Sequence, residues 1–445
     1  MRVVSALMFF PRGGSAHVAR ALARQLPATG WDVTVVSGSR RGADAAAFYS
    51  GLDTVAVDFD TGEAPMQPSY EDRPDAPDHV FAKVSDDELE RHVDAWSDAL
   101  QRARADEADV LHLHHLTPIY DAAARVAPDV PIVGHLHGTE LLMLEHIADG
   151  APASWEHADA WWERMRGWAA RCERLVVLSP SQIERVERLL DVDAQRCVVV
   201  PNGYDPQRFK PCDVDGPSFW RHELAEAPRG WLPGQEPGSL RYPPDVAQSL
   251  AERCVLLCVG RFTEVKRMGL LVRAYARARE RFARPAALVF VGGHDGEWEA
   301  EHPGVVAQEL GLDDVFLAGW HDHEELPSYY CAADATVLAS VREQFGLVLV
   351  EGMACERPAI AVGRYGPADI LTPGETGWLV EPDDEASLAD ALVEAVSDPA
   401  ELQRRGEAAA RDVARRFAWP AVTERFAETL TQAAASDPRA ANQPA

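Results

Sequence analysis

Short apolar runs alternate with helical patterns along this chain, and the alternation runs through twice. Val3 to Phe10 reads as a buried strand. After Gly13-Gly14, Val18, Leu22 and Leu26 recur at i, i+4 and i+8, which is the spacing of one helix face. Val33–Val36, Thr54–Phe59, Val110–Leu113, Ile132–Leu136 and Leu175–Leu178 follow as further strands. A second series starts at Cys254, with strands predicted at 254–259, 287–291, 315–318, 335–338 and 358–362. Between its first two strands, Leu270 or Leu271, Ala274, Ala278 and Phe282 share a helix face. Strands alternating with helices build parallel βαβ units, so the pattern predicts two doubly wound α/β domains. A chain of 445 residues is also too long for one ordinary core.

The predicted boundaries follow from where the pattern breaks. Residues 1–205 form the first domain and 251–417 the second. Between them, 206–250 is read as a linker or lid, since 211–245 holds seven prolines (211, 217, 228, 233, 237, 243, 244) and few apolar pairs. Residues 62–80 are rich in proline and acid and read as a long loop. Val422, Phe426 and Leu430 mark a last helix, 418–434. The remainder, 435–445, is a small polar tail.

Charge excludes some partners. Lys and Arg total 43 against 71 Asp and Glu, a net −28. Nucleic acid needs a basic footprint, which this balance lacks. Docking on anionic lipid is disfavoured for the same reason. The seven cysteines include no CxxC pair, and their odd number suits reduced thiols of a cytoplasmic protein. No signal-type cleavage site and no membrane-spanning run is present.

Three segments carry the residues suited to chemistry. Gly13-Gly14 sits between the first strand and the first helix, where backbone N–H groups can meet an anion. It is not a GxGxxG, so a dinucleotide is disfavoured. VGRFTEVKR (259–267) follows the first strand of the second domain, so Arg261 and Lys266 stand at the carboxyl edge of a sheet, where α/β ligands bind. Two cations there suit a diphosphate and its developing charge. In SVREQFGLVLVEGMACERP (340–358), Glu343 lies in a loop, Gly346 opens a helix and Glu351 lies within it. Carboxylates suit vicinal hydroxyls, and the N–H groups of Phe345, Gly346 and Leu347 suit an anion.

Together with GGSAHVARALARQL, GHLHGTE, VVLSPS, VVVPNGYDPQRFKP, VFLAGW and ETGWLV, these segments identify a resemblance spread over residues 13–380. The chain resembles the retaining glycosyltransferases of the GT-B fold, family 4, the group 1 set. The resemblance implies two Rossmann-like domains facing across a cleft, with 418–434 crossing back to the first. It implies that Arg261 and Lys266 hold the donor diphosphate, that Glu343 bonds the donor sugar and that Glu351 bonds the ribose. His137 matches a first-domain histidine beside the donor sugar, and Gly14 the loop facing the diphosphate. His137, Glu343, Lys266 and Arg261 are thus the expected catalytic residues. Gly13, Gly14, Phe345, Gly346, Leu347 and Glu351 complete the donor site.

The implied activity is transfer of a hexose-type sugar from a nucleotide sugar, UDP-linked first and GDP-linked second. The acceptor would be a small molecule, saccharide or lipid-linked species, and no metal or other cofactor is expected. A nucleotide-sugar epimerase and a non-catalytic sugar-binding relative are the alternatives on this fold. The chain departs from the pattern at Ala339-Ser340, where Pro-Ser is common, at Gln344, where a small residue is usual, and at Asp369, where Glu is common. These departures bear on the choice of donor sugar.

Other signals compete. His112, His114, His135 and His137 alternate on two strand ends, as a zinc set or as polar residues lining a cleft; the lack of a visible second shell favours the latter. Asp58/Asp60, Asp191/Asp193 and Asp213/Asp215 read as loop acids. Trp155, Trp161, Trp162 and Trp168 read as a packed amphipathic helix with some tryptophans facing sugar.

Overall fold

A computed structural model describes residues 1–11, 14–41, 43–62, 64–72, 78–294 and 298–436. The chain divides into two compact units. One comprises Met1–Asn202 with the chain from Trp419 onward, and the other Gly203–Ala418.

The first unit is built on β1 (Arg2–Leu7), β2 (Asp32–Ser39), β3 (Asp53–Asp58), β4 (Val110–His114), β5 (Ile132–His135), β6 (Arg174–Val177) and β7 (Cys197–Val199). They form one parallel sheet in the order β3-β2-β1-β4-β5-β6-β7. The predicted strands are present with small changes of end. β1 stops at Leu7 because Phe10 already turns its N–H to the Gln67 side chain at 2.7 Å. β7 escapes prediction because three half-buried residues carry no periodicity. The helix Trp419–Ala435 returns to this unit, burying Val422, Phe426 and Leu430 against the cluster of Val3, Leu7, Leu22 and Val133.

The second unit holds β8 (Cys254–Val259), β9 (Ala286–Val291), β10 (Val315–Gly319), β11 (Ala335–Leu338), β12 (Ala359–Val362) and β13 (Gly377–Val380). Their order, β10-β9-β8-β11-β12-β13, is again parallel and doubly wound. This is the α/β fold that the alternating pattern predicts.

Residues 206–250 are neither a free linker nor a lid. They belong to the second unit and bury Trp220, Leu224 and Trp231 in it. The segment covers the edge strand β10, where Tyr242 OH accepts the Leu317 N–H at 2.9 Å. Contact is close enough to require glycine on both sides. A Cβ on Gly230 would lie 2.2 Å from the Leu317 carbonyl, and one on Gly319 would lie 2.1 Å from the Arg229 carbonyl. Covering an edge strand removes its unpaired backbone from water and from other chains. A proline-rich sequence can do this without any hydrophobic period.

The cysteine reading also needs correction. Cys212 is bonded to Cys331 in the helix Leu326–Ala332, so the thiols are not all reduced. An even pair hidden in an odd count, 119 residues apart, leaves no spacing signal. Cys254, Cys258 and Cys355 are core residues whose thiols burial pushes up to about 12. No helix among the described residues is long and apolar enough to cross a membrane.

Candidate active site

In the second sheet, β8 and β11 are neighbours, but the chain leaves them toward opposite edges. Ligands of open α/β sheets bind at such a switch point, beyond the carboxyl ends of the strands. The loop after β8 carries Arg261 and Lys266, and the loop after β11 carries Glu343. Their backbones are tied where Val341 N–H donates to the Val265 carbonyl at 3.0 Å. That tie brings Lys266 Nζ onto Glu343 Oε2 as a short ion pair, with both side chains 19% exposed. Arg261 stays exposed and makes no ion pair among the described residues.

Gly346, at φ 105°, caps the helix Leu347–Ala354. This left-handed conformation favours glycine. The first N–H groups of a helix have no partner inside it, so those at Leu347 and its neighbours are available to an anion. Gly366 supports the loop from outside. Its N–H donates to the Glu343 carbonyl at 3.1 Å, and a Cβ there would lie 2.2 Å from the Phe345 carbonyl.

Glu351 is not beside Glu343's partner but has its own. It is 2% exposed. His323 Nε2 lies 2.6 Å from its Oε1, and Tyr330 OH donates to its Oε2 at 3.1 Å. Burial of His323 opposes its charge, yet the hydrogen bond and charge of Glu351 outweigh that and raise the imidazole above its usual pKa. His323 and Tyr330 were missed by sequence reasoning. Neither stands in a recognisable motif, and only the fold brings HDHEEL (321–326) against the helix of Glu351.

A cavity of about 220 Å³ opens beyond β9 and β10 in the same unit. It is lined by Gly293, His294 and Trp320 after those strands, and by Arg229, Trp231 and Gly238 from the segment that covers β10. Trp231 Nε1 donates to the Gly293 carbonyl at 2.8 Å, while Trp320 is 47% exposed. Sequence reasoning had no means of finding this wall in a stretch read as linker.

In the first unit, His137 follows β5 and is 9% exposed. Gly138, at φ 94°, opens the helix Thr139–Gly150. Glu140 in its first turn is fully buried; its Oε1 accepts the His137 backbone N–H, just ahead of the helix, at 3.0 Å. Its Oε2 lies 3.5 Å from His115 Nδ1. Gly14 opens the helix Gly14–Gln25, and a Cβ there would meet nothing within 4 Å. Its own fold therefore does not demand glycine. Gly13 lies outside the described residues.

Two expectations are overturned here. His112, His114 and His135 do not line a cleft. They are 1% exposed or less, on the sheet face covered by the last helix, with Phe426 4.5 Å from the His112 ring. The tryptophans form no sugar platform. Trp155, Trp161 and Trp168 are buried, and the half-buried Trp162 gives its N–H to the Leu189 carbonyl at 2.9 Å. The Asp-x-Asp acids cap turns, as where Asp193 accepts the Gln195 N–H at 2.8 Å and Asp58 the Asp60 N–H at 3.0 Å.

Two doubly wound parallel sheets, with the helix Trp419–Ala435 returning to the first, are the architecture of the GT-B fold. Known structures share the fold. Sucrose-phosphate synthase from Thermosynechococcus elongatus superposes with a TM-score of 0.68 at 21% identity, over 98% of this chain and 99% of that one. Anabaena HepE in complex with UDP and glucose gives 0.68 at 17%, over 97% and 100%. Residues 246–412 match the family of glycosyl transferases group 1, and 12–208 match glycosyltransferase family 4. A D-inositol 3-phosphate glycosyltransferase of Stackebrandtia nassauensis is 30% identical over 355 residues, 76% of this chain and 72% of that protein. The Acidothermus cellulolyticus enzyme of the same name is 30% identical over 80% of this chain and 75% of its own length. The chain belongs to the group 1, family 4 glycosyltransferases.

Proposed function

We propose that the protein is a retaining, metal-independent hexosyltransferase that uses a nucleotide-sugar donor, UDP-linked first and GDP-linked second. The observation that carries this is the Lys266–Glu343 pair at the switch point of the second sheet, beside the open N-terminus of the helix after Gly346. In the proposal, Lys266, Arg261 and the N–H groups of Phe345, Gly346 and Leu347 take the diphosphate, and Gly13 and Gly14 are further donor-binding residues. Fixed donors of this kind stabilise the charge that grows on the leaving phosphate. Glu343, released from Lys266 by the diphosphate, accepts from the sugar hydroxyls. Glu351, already oriented by His323 and Tyr330, accepts from the ribose with its remaining lone pairs. The cavity under Trp320 receives the base, with an exposed indole face to stack on.

Retention is supported by the state of these carboxylates. In the proposed complex Glu343 is taken up by the sugar hydroxyls and Glu351 by His323, Tyr330 and the ribose, so neither stands free as a base for the acceptor. The leaving phosphate oxygen is then the nearest proton acceptor, and attack comes from the face of departure. His137 positions the sugar. The relatives named for D-inositol 3-phosphate make a phosphorylated polyol the first acceptor to try, ahead of saccharides and lipid-linked species.

The test is a donor screen scored by nucleotide release with and without acceptor, followed by proton NMR of the first-formed product. The expected outcome is acceptor-dependent release, an anomeric coupling matching that of the donor, and activity that survives EDTA. An inverted product, or complete loss on chelation that Mn²⁺ restores, would overturn the reading.

A further inference from the structure

Beneath the last helix lies a line of polar groups that the proposed transfer does not use. Ser5 Oγ lies 3.1 Å from His112 Nδ1 and 3.3 Å from His114 Nε2. His112 Nε2 faces His135 Nδ1 at 3.1 Å, and His114 Nδ1 faces His137 Nε2 at 2.9 Å. The result is an unbroken hydrogen-bonded path, His135–His112–Ser5–His114–His137. The period of two on neighbouring parallel strands creates it, since Ser5 pairs in register with His112 and His114 with His135. Phe426 covers the inner part, with ring centroids 4.5 Å from His112 and 6.0 Å from His135. His137 is the most exposed member, and His135 Nε2 is the buried end, with no hydrogen-bond partner among the described residues.

Burial keeps these rings neutral. It pushes His112, His114 and His137 well below the usual histidine pKa and His135 to about 3. A neutral imidazole has one N–H and one lone pair, and the hydroxyl has one proton to give. An arrangement in which the Ser5 oxygen accepts from both rings would strand its proton, since Ser5 is buried and has no other hydrogen-bond partner among the described residues. With that proton given to one ring, every link points the same way and two polarisations remain. They differ at the buried end. One leaves a bare lone pair on His135 Nε2; the other leaves an unpaired N–H there. Orphaned buried N–H groups are the rarer case in folded proteins, and acceptors tolerate it better. The favoured direction has His135 Nδ1–H donating to His112 Nε2, and His112 Nδ1–H to Ser5 Oγ. Ser5 Oγ–H then donates to His114 Nε2, and His114 Nδ1–H to His137 Nε2.

We propose that this line holds His137 in its Nδ1–H tautomer, so that Ser5, His112, His114 and His135 are positioning residues that make its outer edge a hydrogen-bond donor. A donor at that place suits a sugar hydroxyl oxygen. That His137 meets the sugar rests on the function proposed above, whereas the tautomer does not. A metal ion is the competing occupant, since one ring nitrogen from each of His112, His114 and His135 lies within 4.8 Å of the others. Both ring nitrogens of His112 and of His114 are already in the path, so a metal would have to break it.

The experiment is a long-range ¹H–¹⁵N spectrum of the full chain labelled at histidine, at neutral pH, with His137 assigned by its loss in His137→Gln. It reads each ring nitrogen as protonated or bare. The expected result is one tautomer, Nδ1 protonated and Nε2 bare. Ser5→Ala cuts the path, so the His137 signals should move toward a tautomer mixture. The kcat for transfer should fall about five- to ten-fold, the size of one net hydrogen bond, with donor KM little changed. Ser5→Thr, which keeps the hydroxyl, should restore the single tautomer. Protonated Nε2 in the wild type, or a stoichiometric metal whose removal shifts these signals, would overturn the proposal. The wild-type spectrum decides even if Ser5→Ala fails to fold. A correct tautomer in a chain that transfers no sugar would count against the function and leave this inference standing.

Discussion

Lys266 and Glu343 each have a use only because the other is near. A half-buried carboxylate with no cation beside it is poorly solvated, and removing one partner of a desolvated pair costs about 2–5 kcal/mol. Lys266→Ala should therefore lower kcat/KM at least about thirty-fold through the donor diphosphate, while Lys266→Arg should retain part of it. Steady-state kinetics over a donor titration checks this; near wild-type values for Lys266→Ala would remove Lys266 from the site. His323 makes a second prediction at this scale. Its pKa is raised in the fold by Glu351. The stability it contributes is thus fully present below the ordinary histidine value of about 6.5 and is lost as pH rises through the raised value. Thermal denaturation of His323→Gln against wild type should show a difference that is largest at acid pH and shrinks above neutrality. A difference independent of pH would mean that His323 acts by packing alone. Of the residues in this site, Lys266, Glu343 and Gly346 were legible in the sequence because each sits at a fixed distance from a strand end. His323, Tyr330 and Glu140 were not, because their partners are set by side-chain packing.

Among elements, the strands were the most legible and the segment 206–250 the least. Strands buried on both faces read as continuous apolar runs, and β8 and β11 have the predicted ends for that reason. β13 was missed although ETGWLV was quoted as a motif, since four residues after a turn offer no period to count. The covering segment has the opposite problem. Its attachment to β10 depends on glycine contacts and a tyrosine hydroxyl, which composition does not reveal. Gly230→Ala would drive a methyl into the Leu317 carbonyl, at 2.2 Å before relaxation. The segment should then lift from the edge strand, costing about 1–3 kcal/mol as overpacked sites do. Calorimetry should show a lower Tm, and hydrogen exchange should show faster exchange at Leu317. An unchanged melting curve would indicate that the segment is held elsewhere.

For the whole molecule, chain order and structural unit do not coincide. The second unit is one continuous stretch, Gly203–Ala418, while the first is completed only by residues after it. The returning chain is fixed to the second unit up to the crossing, where Tyr204 N–H donates to the Phe417 carbonyl at 2.9 Å. From Trp419 on, its apolar side belongs to the first sheet. Phe426 and Leu430 are fully buried there, and Phe426 also roofs His112 and His135. Deleting that helix would open the core over Val3, Leu7 and Val133 and expose the row of imidazoles beneath Phe426. Burying a Phe and a Leu is worth about 1.5–3 kcal/mol each, a large share of what holds a domain of this size folded. A chain ending at Ala418 should therefore lose the cooperative unfolding of its first unit and keep that of its second. A fragment spanning 203–418, which contains its whole sheet and the segment covering β10, should unfold cooperatively alone. Calorimetry of the two truncations tests both statements. If the chain ending at Ala418 retained two cooperative transitions, the last helix would be an accessory to the first unit and not part of its core.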